Sequence, residues 1–385
     1  MMSREELAAW LRLAATAGVS RANARHLLAA FGSAERVLGA DRAALLRLVD
    51  ADTAQVLLRR DPRDTALLDT TARWLENASA VAPHDVVALD DPRYPPLLLQ
   101  TADPPLLLFT IGRVELLSAP SVAIVGSRSA TPQGLDNARA FARFLSEHKL
   151  TIVSGLAMGV DGAAHEGGLA GRGSTVAFVG TGLDQTYPRR HAELARCIGE
   201  QGLVASEYPL GTEPMAVNFP RRNRLIAGIA RGTLVVEAAL QSGSLITAQM
   251  ALEAGREVFA IPGSIHSPQS RGCHRLIQQG AKLVETGEDV LQELRHPQRA
   301  ATLAATQPSL FAMATDEPDG DTATAPVDPD AALLEALGHD PSTFDALCAR
   351  TGLPSDRLAA RLLDLELAGL VQRLPGGLLQ RRATA

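Results

Sequence analysis

No apolar run in this chain reaches the roughly 18 residues that a membrane span needs. The opening Met-Met-Ser-Arg-Glu-Glu lacks the apolar segment of a signal peptide, so a cytoplasmic protein is expected. Cysteine is scarce: Cys197, Cys273 and Cys348 stand alone, with no CxxC pair and no histidine pair at zinc spacing. That argues against a disulfide frame and a structural metal, and buried, reduced thiols are expected. No cofactor is implied. A positive excess is missing as well, since the formal net charge is −6. Phosphate binding is mostly electrostatic, so a nucleic-acid partner requires a local cluster of arginines.

The chain does have length and apolar content. At 385 residues and 46% hydrophobic it is too long for one ordinary domain and rich enough for a large core. Its organising stretch is Ser121 to Gly134, where the apolar run Val122 to Val125 leads into Gly126-Ser127-Arg128, followed by an amphipathic segment from Leu135 to His148. That pattern reads as a buried strand, a tight turn and a helix. From Ser121 to about Arg295, further apolar runs at 151–153, 175–179, 203–205, 233–236 and 257–261 alternate with helix-period segments. The fold class expected is therefore α/β, a doubly wound, mostly parallel, extended Rossmann sheet over residues 81–296. Short strands at 86–89 and 106–111, separated by a Pro-rich turn, extend one edge.

Residues 1–80 read as small helices around the turn Gly18-Val19-Ser20-Arg21-Ala22-Asn23-Ala24, a SAM-like or helix-hairpin-helix pattern that either holds a DNA backbone or only packs helices. Residues 297–330 read as a flexible linker. The linker contains Gln307-Pro308-Ser309-Leu310-Phe311, and Gln307, Leu310 and Phe311 resemble the short peptides that dock on the bacterial sliding clamp. Residues 331–385 read as helix, turn, helix and β-ribbon, a winged helix. Its charges cancel, so a protein partner suits it as well as duplex DNA.

Candidate binding residues follow from the strand ends, which share one face of such a sheet. Gly126, Ser127 and Arg128 offer close backbone approach, a hydroxyl and a guanidinium fork. In Asn218-Phe219-Pro220-Arg221-Arg222-Asn223-Arg224, an extended Phe219-Pro220 approach is expected to place Arg221, Arg222, Asn223 and Arg224 at a helix start. Like charges there oppose the helix dipole unless an anion is present. Forks on phosphates and a ring under a base suit a single nucleic-acid strand, while a structural reading stays open for Asn223 and Arg224, which can instead brace neighbouring loops through hydrogen bonds. Ser242-Gly243-Ser244 forms a second anion nest. Asp161 and His165, four apart, are expected to brace the core, because no nucleophile accompanies them.

With these residues in view, the chain resembles the DprA (Smf) family of DNA-processing proteins. The motifs are Gly126-Ser127-Arg128, Ser154-Gly155 through Asp161 to Ala164-His165, Ser206-Glu207-Tyr208-Pro209, Phe219-Pro220 with Arg222-Asn223-Arg224, Ser242-Gly243-Ser244 with Thr247-Ala248, and Ile261-Pro262-Gly263. The resemblance implies a non-enzymatic binder of single-stranded DNA in natural transformation. Such a protein protects incoming strands, loads the recombinase RecA and forms a homodimer through the Rossmann core. It also implies that Arg128 is the pocket arginine and Phe219 the stacking aromatic.

Two departures stand out. Ala216-Val217-Asn218 replaces a lysine found in some relatives, so one phosphate contact is missing or taken over by Arg221, and His274 stands in Gly272-Cys273-His274 where Asn is frequent. Two other functions stay open. A phosphoribohydrolase-like enzyme of the same superfamily needs an acid after its glycine loop, whereas here Glu237 precedes it and none follows Ser244 at the matching place. An adaptor without DNA binding needs none of the rim residues.

Overall fold

The structure is a computed structural model that describes residues 2–59, 61–295, 329–338, 341–374 and 376–381. Its centre is a nine-stranded sheet in the order β1-β2-β6-β5-β4-β3-β7-β8-β9. The strands are β1 His84–Ala88, β2 Leu107–Gly112, β3 Ser121–Val125, β4 Thr151–Ser154, β5 Thr175–Phe178, β6 Leu203–Ser206, β7 Gly232–Val235, β8 Glu257–Ala260 and β9 Lys282–Leu283. From β6 to β9 across the sheet every pairing is parallel, whereas β1 with β2 and β2 with β6 pair antiparallel. The 84–112 hairpin thus occupies one edge, as the sequence suggests. The two-residue β9 at the other edge leaves no trace in the hydrophobic pattern.

Burial on both faces explains the unbroken apolar runs. Side chains alternate along a strand, so Ala123 and Val125 enter one buried cluster while Val122 and Ile124 enter the opposite one. The helix Pro132–Glu147 covers that second face. Its start is fixed by Thr131, whose hydroxyl accepts from the Gly134 N–H at 3.0 Å, and by Pro132 at the first helical position.

Six helices between Arg4 and Glu76 form the N-terminal region around Trp10, which is 1% exposed. Their core also takes in Val86, Ala88, Leu107 and Phe109, so these helices close over the antiparallel edge of the sheet. At the far end, helices Pro329–Leu337, Phe344–Thr351 and Ser355–Leu367 precede the two-stranded ribbon β10 Val371–Leu374 and β11 Leu378–Arg381. This winged-helix domain has its own core, including Leu337, Leu347, Leu358, Leu362, Val371 and Leu379. Among the described residues, no helix is long and apolar enough to cross a membrane.

Candidate nucleic-acid interface

The strand order reverses between β3 and β7, and ligands of doubly wound sheets sit outside the strand carboxyl ends at such a switch point. Here the two strand ends are tied together, the Ser127 N–H donating to the Glu237 carbonyl at 2.8 Å. Ser127 is buried and its amide is occupied, so of this turn it is Arg128, which is exposed, that reaches outward. The turn is wedged tightly. A Cβ on Gly126 would lie 2.6 Å from Val160 Cγ2, and one on Gly159, at φ 77, would lie 2.3 Å from the Ser127 carbonyl oxygen. Glycine is required at both positions.

Arg128 carries its guanidinium carbon 5.9 Å from the centre of the Phe219 ring, within cation–π range. That ring lies against the backbone at the end of β5, where a Cβ on Gly180 would come within 3.1 Å of Phe219 Cδ1. On its other neighbour, Tyr187, the ring centres are 5.3 Å apart and the planes inclined by 34°. Sequence reasoning brought Arg128 and Phe219 together and missed Tyr187. The signal available was an aromatic ahead of a proline in the loop that follows β5.

Phe219 belongs to the helix Asn218–Ile229, so the expected extended approach is a correction: Pro220 sits inside the first turn. Proline is tolerated there because its missing N–H has no intrahelical partner to lose. The helix start has no side-chain cap and no acidic residue in its first turn, leaving a positive dipole end there, although the Asn218 N–H donates to the Met215 carbonyl at 2.9 Å and Pro220 has none to offer. Arg221 is exposed beside it, with no ion pair among the described residues.

Two of the expected phosphate ligands do not face the rim. Arg222 is 4% exposed, and its Nη1 donates to the carbonyls of Gly155 and Phe178, binding the ends of β4 and β5 together. Burial pulls its pKa down to about 10, partly opposed by the charge of nearby Asp161. The reason is periodicity: Asn218, Arg222, Leu225, Ile226 and Ile229 form the buried stripe of this helix, and Arg222 lies in the middle of it. Arg224 is likewise turned inward, pairing with the Glu207 carboxylate and donating to the Asp103 carbonyl at 2.7 Å. Asn223 is half-buried and one helical turn beyond Phe219, on its side of the helix.

The N-terminal turn module shares that inward network. Arg21 bonds Glu207 at 2.9 Å and Asp103 at 2.6 Å, and Arg25 bonds Asp103 at 3.3 Å. Both arginines therefore serve packing. Across the switch point, Ser242 caps the helix Gly243–Glu253, its hydroxyl 2.7 Å from that of Ser244 and accepting the Ser244 N–H at 3.4 Å. Part of the expected nest is thus self-capped, and Ser244 is buried.

Asp161 and His165 brace the core, as expected. Asp161 accepts from the Gly155 and Ala157 N–H groups at 3.1 and 3.3 Å. His165 Nε2 accepts from the Leu156 N–H at 3.2 Å while Nδ1 faces Thr175 Oγ1 at 2.7 Å, and burial drives its pKa down to about 3. Cys273 is buried, its thiol pushed up to about 12 by desolvation. His274 Nε2 lies 3.0 Å from the Gly263 carbonyl, bracing the turn after β8. Gln307, Leu310 and Phe311 lie outside the described residues. Among the described residues, no cluster of three or more His, Cys, Asp or Glu is placed to hold a metal.

A switch-point rim with a cation over a ring, in an α/β core that small helices precede and a winged helix follows, agrees with the class of DNA-processing proteins that the family models identify. The family model for DNA recombination-mediator protein A matches residues 85–295, and the model for the DprA winged helix domain matches residues 317–377. The chain belongs to the DNA recombination-mediator protein A family, also called DprA or Smf. It is 42% identical to Protein Smf of Escherichia coli over 316 residues, covering 82% of this chain and 81% of that protein. It is 52% identical to DNA processing protein DprA of Streptococcus pneumoniae over 205 residues, 53% of this chain and 72% of the other. The X-ray structure of the Streptococcus pneumoniae DprA superposes with TM-score 0.60 at 38% identity, covering 76% of this chain and 98% of that one. A Helicobacter pylori DNA processing protein A, described for its single-stranded DNA binding mode, superposes with TM-score 0.50 at 30% identity, covering 55% and 96%.

Proposed function

We propose that this protein binds single-stranded DNA at the rim formed by Arg128, Phe219 and Arg221. In natural transformation it protects incoming strands inside the cell and loads RecA recombinase onto them, as a homodimer joined through the α/β core. The observation that carries this reading is the Arg128 guanidinium over the Phe219 ring at the switch point. A phosphate on the fork and a base on the ring meet there beside the positive end of a helix that carries no acidic residue in its first turn. The linker residues Gln307, Leu310 and Phe311 are proposed as a contact to the sliding clamp. No catalytic step is assigned. Glu237, the acid nearest the glycine loop, is held by the Thr131 N–H at 2.9 Å and hydroxyl at 2.6 Å. Release of free base from nucleoside monophosphates would reverse that assignment.

With Arg222 and Arg224 facing inward, two arginine–phosphate contacts remain at this point, Arg128 and Arg221. These two contacts contribute roughly −1.4 to the slope of log K against log salt on single strands, at about −0.7 per contact. The test is fluorescence anisotropy on oligo-dT. Phe219→Ala is expected to weaken binding by on the order of 1 to 3 kcal/mol, and Arg128→Ala to flatten the salt slope. Full affinity in both variants would reject the pocket.

A further inference from the structure

The loop that follows β5 has no assigned role, yet it places a second ring against Phe219 and two exposed arginines directly beyond it. We infer that the single-strand track continues over Tyr187, which stacks a second base, to Arg189 and Arg190, which take the next phosphates. This rests on the reading of the rim as a single-strand site.

Tyr187 is 45% exposed although it packs against another aromatic, and its hydroxyl has no hydrogen-bond partner among the described residues. The two ring planes are inclined by 34°, with Phe219 half-buried and Tyr187 exposed, so the rings step outward from the core. Successive bases of a flexible strand can use such steps, because stacking tolerates any base. Arg189 and Arg190 begin the short 3₁₀ turn Arg189–His191 immediately after Pro188. Both are exposed and neither has a carboxylate partner among the described residues.

The loop is built rather than loose. Asp184 accepts the Gly211 N–H at 2.8 Å, the Gly182 N–H donates to the Thr212 carbonyl at 2.9 Å, and Thr181 Oγ1 donates to the Gln185 carbonyl at 3.1 Å. His191 anchors the far end, its Nδ1 3.0 Å from the Leu156 carbonyl. It also lies against Gly162, where a Cβ would come within 2.8 Å of its ring, while Gly159, three residues earlier on the same helix start, lies under Arg128. The Arg189–His191 turn and Arg128 are therefore neighbours along one helix start. Holding the ring and the cations in place beforehand lowers the ordering cost of binding.

The experiment uses the full chain and fluorescence anisotropy on oligo-dT and on a strand of the same length with abasic positions. Tyr187→Ala is expected to bind oligo-dT roughly 5- to 100-fold more weakly, with the loss shrinking toward none on the abasic strand. The Arg189→Ala, Arg190→Ala double variant is expected to flatten the salt slope by about 1.4 on strands of about 20 nucleotides. On strands of about 4 nucleotides, too short to reach past Tyr187, it is expected to behave as wild type. Wild-type binding by Tyr187→Ala on oligo-dT, or an equal loss on the abasic strand, overturns the inference, as does an unchanged slope in the double variant. If Phe219→Ala and Arg128→Ala lose affinity while Tyr187→Ala does not, the track alone falls. If none of them loses affinity, the rim site falls with it.

Discussion

One helix turns its arginines to opposite ends. On Asn218–Ile229, Arg221 stands in solvent beside Phe219, while Arg222, the next residue, disappears into the sheet and Arg224 into an ion network. A step of about 100° per residue is enough to separate Arg221 from Arg222, whereas Arg224, close to the side of Arg221, is drawn inward by Glu207 and Asp103. Identical side chains thus serve two purposes. The exposed side is the one proposed to meet a strand, whereas the buried side fixes the frame, through Gly155, Phe178, Glu207 and, by way of Arg21, the N-terminal helices. Charge density along a sequence does not identify a phosphate site until the helical face is known.

The sharpest way to break this comparison is to remove the two neighbours separately. Arg222→Ala strips a donor from two buried carbonyls, removes the cation beside buried Asp161 and leaves a void, so a loss of about 3 kcal/mol is expected in urea unfolding. Arg221→Ala should stay within about 0.5 kcal/mol of wild type while weakening oligo-dT binding. Equal stability losses in the two variants would erase the distinction.

The buried side also has a pH signature that the exposed side lacks. His165 is neutral in the fold, with its pKa lowered to about 3 from 6.5. Unfolding therefore takes up a proton between those values. Stability contributed by this group is complete above pH 6.5 and is lost as pH falls toward 3, at up to about 1.4 kcal/mol per pH unit. His165→Asn, compared with wild type by thermal melts across that window, should show a shallower decline. An identical decline would remove His165 from the account.

Much of this was legible in the sequence. The strand runs at Val122–Val125 and its successors, the edge hairpin and the winged helix announce themselves through period and turn residues, because burial on both faces leaves little room for polar side chains. Arg128 and Phe219 were legible because strand-end motifs converge on one rim. Arg222 was misassigned although its clue was present: it sits four residues after Asn218 and three, four and seven before Leu225, Ile226 and Ile229. For Arg224 the sequence leaves bracing and phosphate contact side by side, and the partners that decide for bracing, Glu207 and Asp103, come from distant segments. Tyr187 was missed for the same reason, its meaning depending on a ring 32 residues away in the sequence.

The smallest effect separates Arg221 from Arg224 by salt rather than by affinity. Affinity alone is ambiguous, because a variant that shifts the helix weakens binding without having touched a phosphate. Counterion release counts contacts directly, about 0.7 of slope for each on a single strand. Arg221→Ala is expected to flatten the slope by that amount at unchanged melting temperature. Arg224→Met should leave the slope as it is and lower the melting temperature, since Glu207 keeps Arg21 but loses its second cation. A flattened slope in Arg224→Met would mean that this guanidinium leaves Glu207 for the strand when DNA arrives, and the line between frame and contact would have to be redrawn through it.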